Sequence, residues 1–342
     1  MAPRAPTDLC ITVDVEFSIA GTFEDPRRFK PLAEPVVACM VNGEGHGLDF
    51  LLRTLAAHGQ RATFFVETLC TLHFGNEPMR SYARRIAEAG HEVGLHLHPC
   101  WQVFRFPDWP DRVRRPLAVS DTLCDRPPHE VEAVIANGMA VMERWGLPRP
   151  RSLRMGNLMA DRGIYRAMRR LGLTVASNIG LGIHRSGDPS LHLAGGAHQV
   201  EGVVELPVLT YDVGLPLRPS RRKCLTTTGT GLGTTLRLLR AARAAGSGPV
   251  VLLTHPFEFV KRRDFTFRDL RPNRINQRRL ADLCAFVAAH PSDFRMATVS
   301  DAAACAPLTA PARVPAPPLD VEFVSVLPGL VSNRLNDLVW RL

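Results

Sequence analysis

Short apolar stretches alternate with longer amphipathic stretches along most of the chain. Residues 9–17 are apolar nearly throughout, which is typical of a strand covered on both faces. Residues 47–59 instead have the spacing of an amphipathic helix that ends at a glycine. Further strands are predicted at residues 61–67, 90–98, 151–157, 173–177, 249–255 and 294–299, and further helices at residues 76–90, 127–146, 161–172, 236–246 and 273–290. This alternation predicts a parallel sheet, either open or closed into a barrel.

Three long stretches lack the alternation. Residues 18–45 and 99–126 are loops whose length is typical of a lid or a binding loop. Residues 178–230 are irregular, with short strand candidates at residues 199–205 and 208–213. The second loop carries several aromatic residues, among them Trp101, which either pack on one another or stack on a sugar.

The end of the chain differs in composition from the rest. A proline- and alanine-rich stretch predicts a linker at residues 306–319, after a main domain at residues 1–305. The last segment, residues 320–342, has its apolar residues spaced as on one face of a helix. That helix either docks on the main domain or contacts a membrane surface or a partner.

The 342 residues suffice for one large α/β domain or two ordinary ones. The formal net charge is +9, and 39 of the 42 basic residues are arginine, a bias that the base composition of a genome can produce. The functional alternative is an anionic partner, such as a phosphorylated sugar, a lipid diphosphate or an acidic membrane face. Nucleic acid is not expected as a partner, because the basic residues are scattered and the chain has only three tyrosines.

The eight cysteines form no Cys-x-x-Cys pair, so neither a zinc ribbon nor a dense disulfide pattern is predicted. The start of the chain lacks an apolar signal segment, and no apolar run reaches transmembrane length. These features lead us to expect a cytoplasmic, reduced protein.

Polar side chains stand at the carboxyl ends of four predicted strands. Side chains two residues apart on a strand share a face, so each of the two spaced pairs can act together. Functional groups collect at this rim in parallel α/β folds, and two histidines on one face are a common way to hold a transition metal. The six polar residues are Asp14, Glu16, His96, His98, Arg154 and His255.

These residues lie in motifs that resemble those of the NodB-like polysaccharide deacetylases, carbohydrate esterase family 4, and the resemblance covers about residues 9–301. Residues 12–16 (Thr-Val-Asp-Val-Glu) resemble the family's first motif, Thr-Phe-Asp-Asp. Residues 90–98 (Gly-His-Glu-Val-Gly-Leu-His-Leu-His) resemble its second, and residues 152–157 its third, in which only the arginine matches outright. Residues 252–255 (Leu-Leu-Thr-His) match the fifth motif, and residues 297–301 are similar to the final strand and turn.

The resemblance implies an α/β fold, a distorted (β/α) barrel of about seven strands. Within the family, the chain is most similar to the WalW-like branch implicated in lipopolysaccharide biosynthesis, which shares the patterns Asp-x-Glu-Phe-Ser and Leu-His-Leu-His-Pro.

The resemblance also implies site residues and a cofactor. Glu16, His96 and His98 would hold a divalent metal, with zinc as the expected ion. Asp14 would be the general base, and Arg154 would keep it ionised.

The resemblance gives His255 the task of protonating the leaving amine. A backbone N–H near Asn157 would stabilise the oxyanion.

Departures from the family pattern leave some roles open. The family's metal ligands are usually four residues apart, which places Cys100 beside His98 as a candidate second ligand. The sequence also leaves the roles of Asp14 and Glu16 interchangeable. The fourth motif has no clear counterpart, and Asp212 is its candidate.

The expected reaction is removal of an N-acetyl group from an amino sugar of a cell-envelope polysaccharide or its lipid-linked precursor, at the inner face of the membrane. Two alternatives remain: another metal hydrolase, acting on a phosphoester or a cyclic amide, and a barrel that binds glycan after losing catalysis.

Overall fold

A computed structural model describes residues 5–215, 218–306 and 318–341. The strands are β1 (Thr7–Val15), β2 (Met40–Val41), β3 (Glu44–Gly45), β4 (Thr63–Glu67), β5 (Glu92–Leu97), β6 (Ser152–Met155), β7 (Val175–Ala176), β8 (His198–Val200), β9 (Val203–Glu205), β10 (Thr210–Leu215), β11 (Arg218–Cys224), β12 (Val250–Thr254), β13 (Val260–Arg262), β14 (Leu270–Pro272), β15 (Phe294–Met296) and β16 (Leu319–Glu322).

The α-helices are α1 (Glu34–Val37), α2 (Leu48–Ala57), α3 (Thr71–Phe74), α4 (Met79–Glu88), α5 (Trp109–Arg112), α6 (Pro128–Arg144), α7 (Arg162–Arg170), α8 (Leu232–Ala245), α9 (Arg274–Ala289), α10 (Val299–Cys305) and α11 (Phe323–Arg341). Short 3-10 segments follow three of the strands, at Pro99–Arg105, Gly156–Leu158 and Pro256–Phe259.

One curled sheet organises the molecule. Its strand order is β12-β1-β4-β5-β6-β7-β9-β8, and β15 also pairs with β1. All of these pairs are parallel except the β8–β9 hairpin. Single parallel bridges join Val208 and Thr226 to β12, so the chain beyond β9 meets the opposite end of the sheet. The predicted parallel α/β barrel is therefore confirmed as a curled half-barrel, with eight strands along its path instead of about seven.

The sheet is buried because helices cover it. Strand β1 is buried from Leu9 to Val15, as its nearly continuous apolar sequence predicts. Helix α2 buries Leu48, Leu51 and Leu55, which recur at helical spacing, and keeps its other face towards solvent. The polar side chains that we predicted at strand ends are thus carried on a rigid, close-packed support.

The stretch at residues 178–230 is more regular than the sequence indicated. The candidates at residues 199–205 and 208–213 become the β8–β9 hairpin and β10, and β10 pairs with an unpredicted strand, β11. The sequence of β11, Arg-Pro-Ser-Arg-Arg-Lys-Cys, has neither apolar alternation nor β-branched residues, so it carries no strand signal. The strand predicted at residues 294–299 ends at Met296, and the side chain of Thr298 caps α10 by accepting from the Asp301 amide.

The C-terminal segment docks on the main domain. Strand β16 pairs in parallel with β10, and α11 packs against α8, α9 and β10. Asn333 Oδ1 accepts from Arg279 Nη2 at 2.8 Å, and Asp337 pairs with Lys261. Most of the predicted linker, residues 307–317, lies outside the described residues. Among the helices that the structure describes, none combines the length and hydropathy needed to cross a membrane.

Candidate active site

Parallel strand pairing brings the predicted polar residues to one rim of the sheet. Asp14 lies near the end of β1, and Glu16 follows two residues later. His96 is in register with Arg154 on β6, and Glu67 at the end of β4 is in register with His96. Since all of these strands run in the same direction, their last residues point towards one shared space.

Glu16, His96 and His98 form a compact cluster of metal-ligand type. Oε2 of Glu16 lies 3.2 Å from Nε2 of His96 and 2.7 Å from Nε2 of His98. One ligand atom from each residue lies within 4.8 Å of the other two. Two imidazole nitrogens and one carboxylate oxygen are a donor set that zinc accepts, with room for a further ligand.

The second nitrogen of each imidazole is held by a partner. Nδ1 of His96 lies 2.8 Å from the Arg154 carbonyl oxygen, which can only accept, so Nδ1 carries the proton and Nε2 is left with its lone pair. Nδ1 of His98 lies 2.6 Å from Oδ2 of Asp121. A ligating histidine whose other nitrogen donates to a carbonyl or a carboxylate is the usual arrangement around bound metals. The residues present therefore fit a divalent metal.

The charges of this cluster are strongly coupled. Burial alone would raise the pKa of Glu16, but the positive charge of His98 holds it well below its usual value. Burial would likewise lower the pKa of His98, yet Glu16 and Asp121 raise it well above the ordinary value. The metal-free cluster therefore carries an ionised Glu16 and a protonated His98, and metal binding there must release that proton.

Cys100 belongs to a second set of close ligand atoms, with His98 and Asp121. Its thiol is buried, and burial together with Asp121 raises its pKa well above the ordinary value. Since a cysteine binds metal as the thiolate, this environment disfavours Cys100 as a ligand compared with Glu16.

Asp14 and Arg154 form a buried ion pair beside the cluster. Nη1 of Arg154 donates to Oδ1 of Asp14 at 2.8 Å and to Oγ1 of Thr12 at 2.9 Å. The same guanidinium donates from Nε to the Ser177 carbonyl at 2.9 Å and from Nη2 to Ser177 Oγ at 2.7 Å. Arg154 is fully buried and locked by these bonds, so it fixes one oxygen of Asp14 and leaves Oδ2 directed elsewhere.

His255 faces both carboxylates of β1. Its Nε2 lies 3.9 Å from Oδ2 of Asp14 and 3.9 Å from Oε1 of Glu16. Its Nδ1 lies 3.0 Å from Oε1 of Glu258, whose other oxygen accepts from Oγ1 of Thr254 at 2.8 Å. Burial would lower the pKa of His255, but Glu258 above all, with Glu16 and Asp14, raises it to about 9. His255 is therefore protonated at neutral pH and can donate a proton from Nε2.

Three further residues of the site were missed by the sequence analysis. Glu258 follows His255 by three residues, a spacing at the start of a 3-10 turn that could have suggested the contact. Asp121 lies 23 residues after His98 in an irregular loop, and nothing local marks it. Glu67 is fully buried and accepts from the amides of Leu69, Cys70 and His98, so it holds the end of β4 against the histidine segment.

The three predicted substrate-binding residues have different outcomes. Asn157 lies at the rim, exposed, and its Nδ2 donates to Oδ2 of Asp121 at 2.7 Å. Trp101 is only 1% exposed and packs against Phe74 and Phe104, so the loop is self-packed there and this ring offers no face to a sugar.

Asp212 lies on β10 and forms a double hydrogen bond with Arg222, at 2.9 Å for both contacts. Within the described residues it makes no contact with the Asp14 and Glu16 cluster. Its expected place in the missing fourth motif therefore has no geometric support.

Comparison with known proteins gives a family match to part of the chain and a shared fold. Residues 42–176 match the family model of the polysaccharide deacetylases. No curated protein sequence matches the chain. A crystal structure of a protein from Mycobacterium smegmatis that is assigned as a polysaccharide deacetylase is 17% identical, with a TM-score of 0.54. The alignment covers 93% of this chain and 97% of the other, so the two share a fold.

More distant similarity extends to two other structures. A family 4 carbohydrate esterase of Streptomyces lividans, in complex with acetate, is 12% identical over 90% of this chain and 100% of the other, with a TM-score of 0.42. A peptidoglycan deacetylase of Bacillus subtilis is 11% identical over 88% of this chain and 91% of the other, with a TM-score of 0.38. The NodB-like class of fold thus rests on the Mycobacterium smegmatis structure, together with the family match.

Proposed function

We propose that the protein is a metal-dependent deacetylase that hydrolyses the N-acetyl group of an amino sugar in a polysaccharide or a polysaccharide precursor. The single observation that carries the proposal is that Oδ2 of Asp14 and Nε2 of His255 lie 3.9 Å apart, directly beside the Glu16 cluster. A base, an acid and a metal-binding set then face one space, as hydrolysis of an amide requires. The match of residues 42–176 to the polysaccharide deacetylases supports the same reaction.

Glu16, His96 and His98 would hold the metal, which we expect to be zinc. A divalent ion in such a set polarises a carbonyl oxygen and lowers the pKa of a water molecule beside it. The geometry favours Glu16 as the ligand over Asp14, because Glu16 contacts both histidines whereas one oxygen of Asp14 is engaged by Arg154.

Asp14 and His255 would move the protons. Oδ2 of Asp14, which Arg154 leaves available, takes a proton from the attacking water as the oxygen–carbon bond forms. His255 then donates the proton on Nε2 to the amine nitrogen as the carbon–nitrogen bond breaks. The products are acetate and the free amino sugar. A backbone N–H near Asn157 is our candidate for stabilising the oxyanion.

The substrate that we propose is a cell-envelope glycan or its lipid-linked precursor, and the protein would then work at a membrane surface. The excess of positive charge supports an anionic, phosphate-bearing precursor. The similarity of the motifs to the lipopolysaccharide branch of the family agrees with this substrate class.

Acetate release from N-acetylated oligosaccharides by the zinc-loaded protein tests the proposal. We expect Asp14→Asn and His255→Ala to lower turnover by about 10²–10⁴-fold. Asp8→Asn is the matched control, because it removes a carboxylate from another arginine pair, Asp8–Arg295, away from the site. A parallel assay with a phosphate monoester separates the phosphoesterase alternative. Metal-loaded protein that binds glycan but releases no acetate would instead support a binding role.

A further inference from the structure

A cavity of about 420 Å³ lies where the first turn of α8 and the N-terminal half of α9 meet α11. Four arginines and a single aspartate line it, which gives the lining a net charge of +3. These residues are Arg237, Arg274, Arg278, Arg279 and Asp282. None of the residues that we assign to catalysis or to the metal lines this cavity, so it is a separate feature of the surface.

Arg279 is a buried cation with neutral partners. Arg279 is only 8% exposed. Its guanidinium donates hydrogen bonds to the backbone carbonyls of Thr227 and Thr228 and to the side-chain oxygens of Asn276 and Asn333. No carboxylate of the described residues pairs with it. A buried charge without a counter-ion costs free energy, and an anion in the adjacent cavity would offset that cost.

Two neighbouring arginines add exposed positive charge to the same cavity. Nη1 of Arg274 donates to Oε1 of Gln277 at 3.2 Å, and neither Arg274 nor Arg278 forms an ion pair with a described carboxylate. The backbone N–H groups of the first turn of α8, which begins at Leu232, add partial positive charge. Guanidinium groups contributed by two helices to one small cavity are suited to the oxygens of a phosphate group.

We propose that this cavity, which we call the arginine pocket, binds a phosphate group. Leu232, Ile275 and Pro328 give it an apolar wall, so the ligand would also carry a less polar portion.

Two sources share this chemistry: a soluble phosphate ester and the headgroup of an anionic phospholipid. On α11, beside the residues that line the pocket, Leu327, Leu330 and Val331 are 36%, 38% and 53% exposed, which favours the lipid source.

Titration calorimetry with inorganic pyrophosphate, at low ionic strength, tests the shared chemistry. We expect Arg274→Gln/Arg278→Gln to weaken binding by about tenfold or more, because each lost contact is a charge-assisted hydrogen bond. Both arginines are exposed, so the variant should fold, and an unchanged melting temperature checks this. Arg84→Gln/Arg144→Gln is the matched control, since it removes the same charge from exposed positions on α4 and α6.

Sedimentation with vesicles distinguishes the two sources. The vesicles contain phosphatidylcholine with about 30% phosphatidylglycerol, or phosphatidylcholine alone. For a lipid ligand, the Arg274/Arg278 variant loses binding to the anionic vesicles, and Leu327→Asn/Val331→Asn weakens that binding without changing the affinity for pyrophosphate.

Pyrophosphate binding that depends on the arginines, without vesicle binding, assigns the pocket to a soluble ester. If the Arg274/Arg278 variant and its control behave alike with both probes, the pocket is not a phosphate site. Neither result depends on deacetylase activity.

Discussion

Glu258 supports His255 from one side, and Asp14 faces it from the other. Nδ1 of His255 lies 3.0 Å from Oε1 of Glu258, and its Nε2 lies 3.9 Å from Oδ2 of Asp14. This arrangement places a carboxylate behind the imidazole, where it orients the ring and stabilises the imidazolium form. Glu258 therefore supplies an orienting carboxylate from the same short segment as His255.

The contact predicts a shift in the pH dependence of activity. The pKa of His255 is raised to about 9, with Glu258 as the largest cause in that direction. Since His255 must be protonated to act as the acid, kcat/KM should fall on the basic side of the pH profile as His255 loses its proton. In Glu258→Gln the ring loses a negative neighbour, so this basic limb should move down towards the ordinary histidine value of about 6.5.

The measurement is kcat/KM for acetate release across the pH range. Asp121→Asn is the comparison, because it removes the carboxylate that contacts His98 instead of His255. That variant should keep the basic limb in place even if its activity is lower. An unchanged limb in Glu258→Gln would mean that a group other than His255 supplies the proton.

The choice of metal ligands gives a second prediction. Single replacements Glu16→Gln, His96→Ala and His98→Ala should each reduce bound zinc well below one ion per chain, because each removes one of three close ligand atoms. Cys100→Ala should keep zinc, since the thiol is buried and disfavoured as thiolate. Elemental analysis after dialysis against zinc checks all four variants. Metal loss in Cys100→Ala together with retention in Glu16→Gln would assign the site to the other cluster, with Asp121.

The buried pair of Asp14 and Arg154 predicts a non-additive stability cycle. Arg154→Met should destabilise the fold by about 3–5 kcal/mol, because it leaves Asp14 buried without its partner. Asp14→Asn removes that charge, so the double variant should be more stable than the sum of the two single changes implies. Denaturant unfolding of the four proteins measures the coupling. Additive effects would show that the two side chains do not stabilise each other.

The polar residues at the rim of the sheet could be predicted because they lie at the ends of predicted parallel strands, of which residues 9–17 and 249–255 are strongly apolar. The alternation of strands and helices then brings Asp14, His96, Arg154 and His255 together without any knowledge of side-chain contacts. Strand β11 was not predicted because most of its residues are charged. Its position depends on pairing with β10, and not on a pattern of apolar residues in its own sequence.

The loop residues of the site could not be predicted in this way. A segment of short helical turns between the two residues brings Asp121 into contact with His98. The hydrophobic periodicity of the sequence does not predict the course of that segment. For Trp101 the sequence allows either sugar stacking or packing within the loop, and the structure decides between them because Phe74 and Phe104 bury the ring. Tertiary packing decides such positions, and local sequence does not.

Gly156 gives a last prediction, because it lies against the imidazole of His98. A Cβ at this position would overlap Nδ1 of His98, the atom that pairs with Asp121. Gly156→Ala should therefore displace the ring and lower the zinc affinity by about 10–100-fold, as expected when the partner of a ligating histidine is disturbed. Gly187→Ala is the control, since a Cβ there meets nothing within 4 Å. Competition with a zinc chelator measures both variants. Equal affinities would mean that His98 adjusts without cost or does not bind the metal, and the His98→Ala variant separates these two explanations.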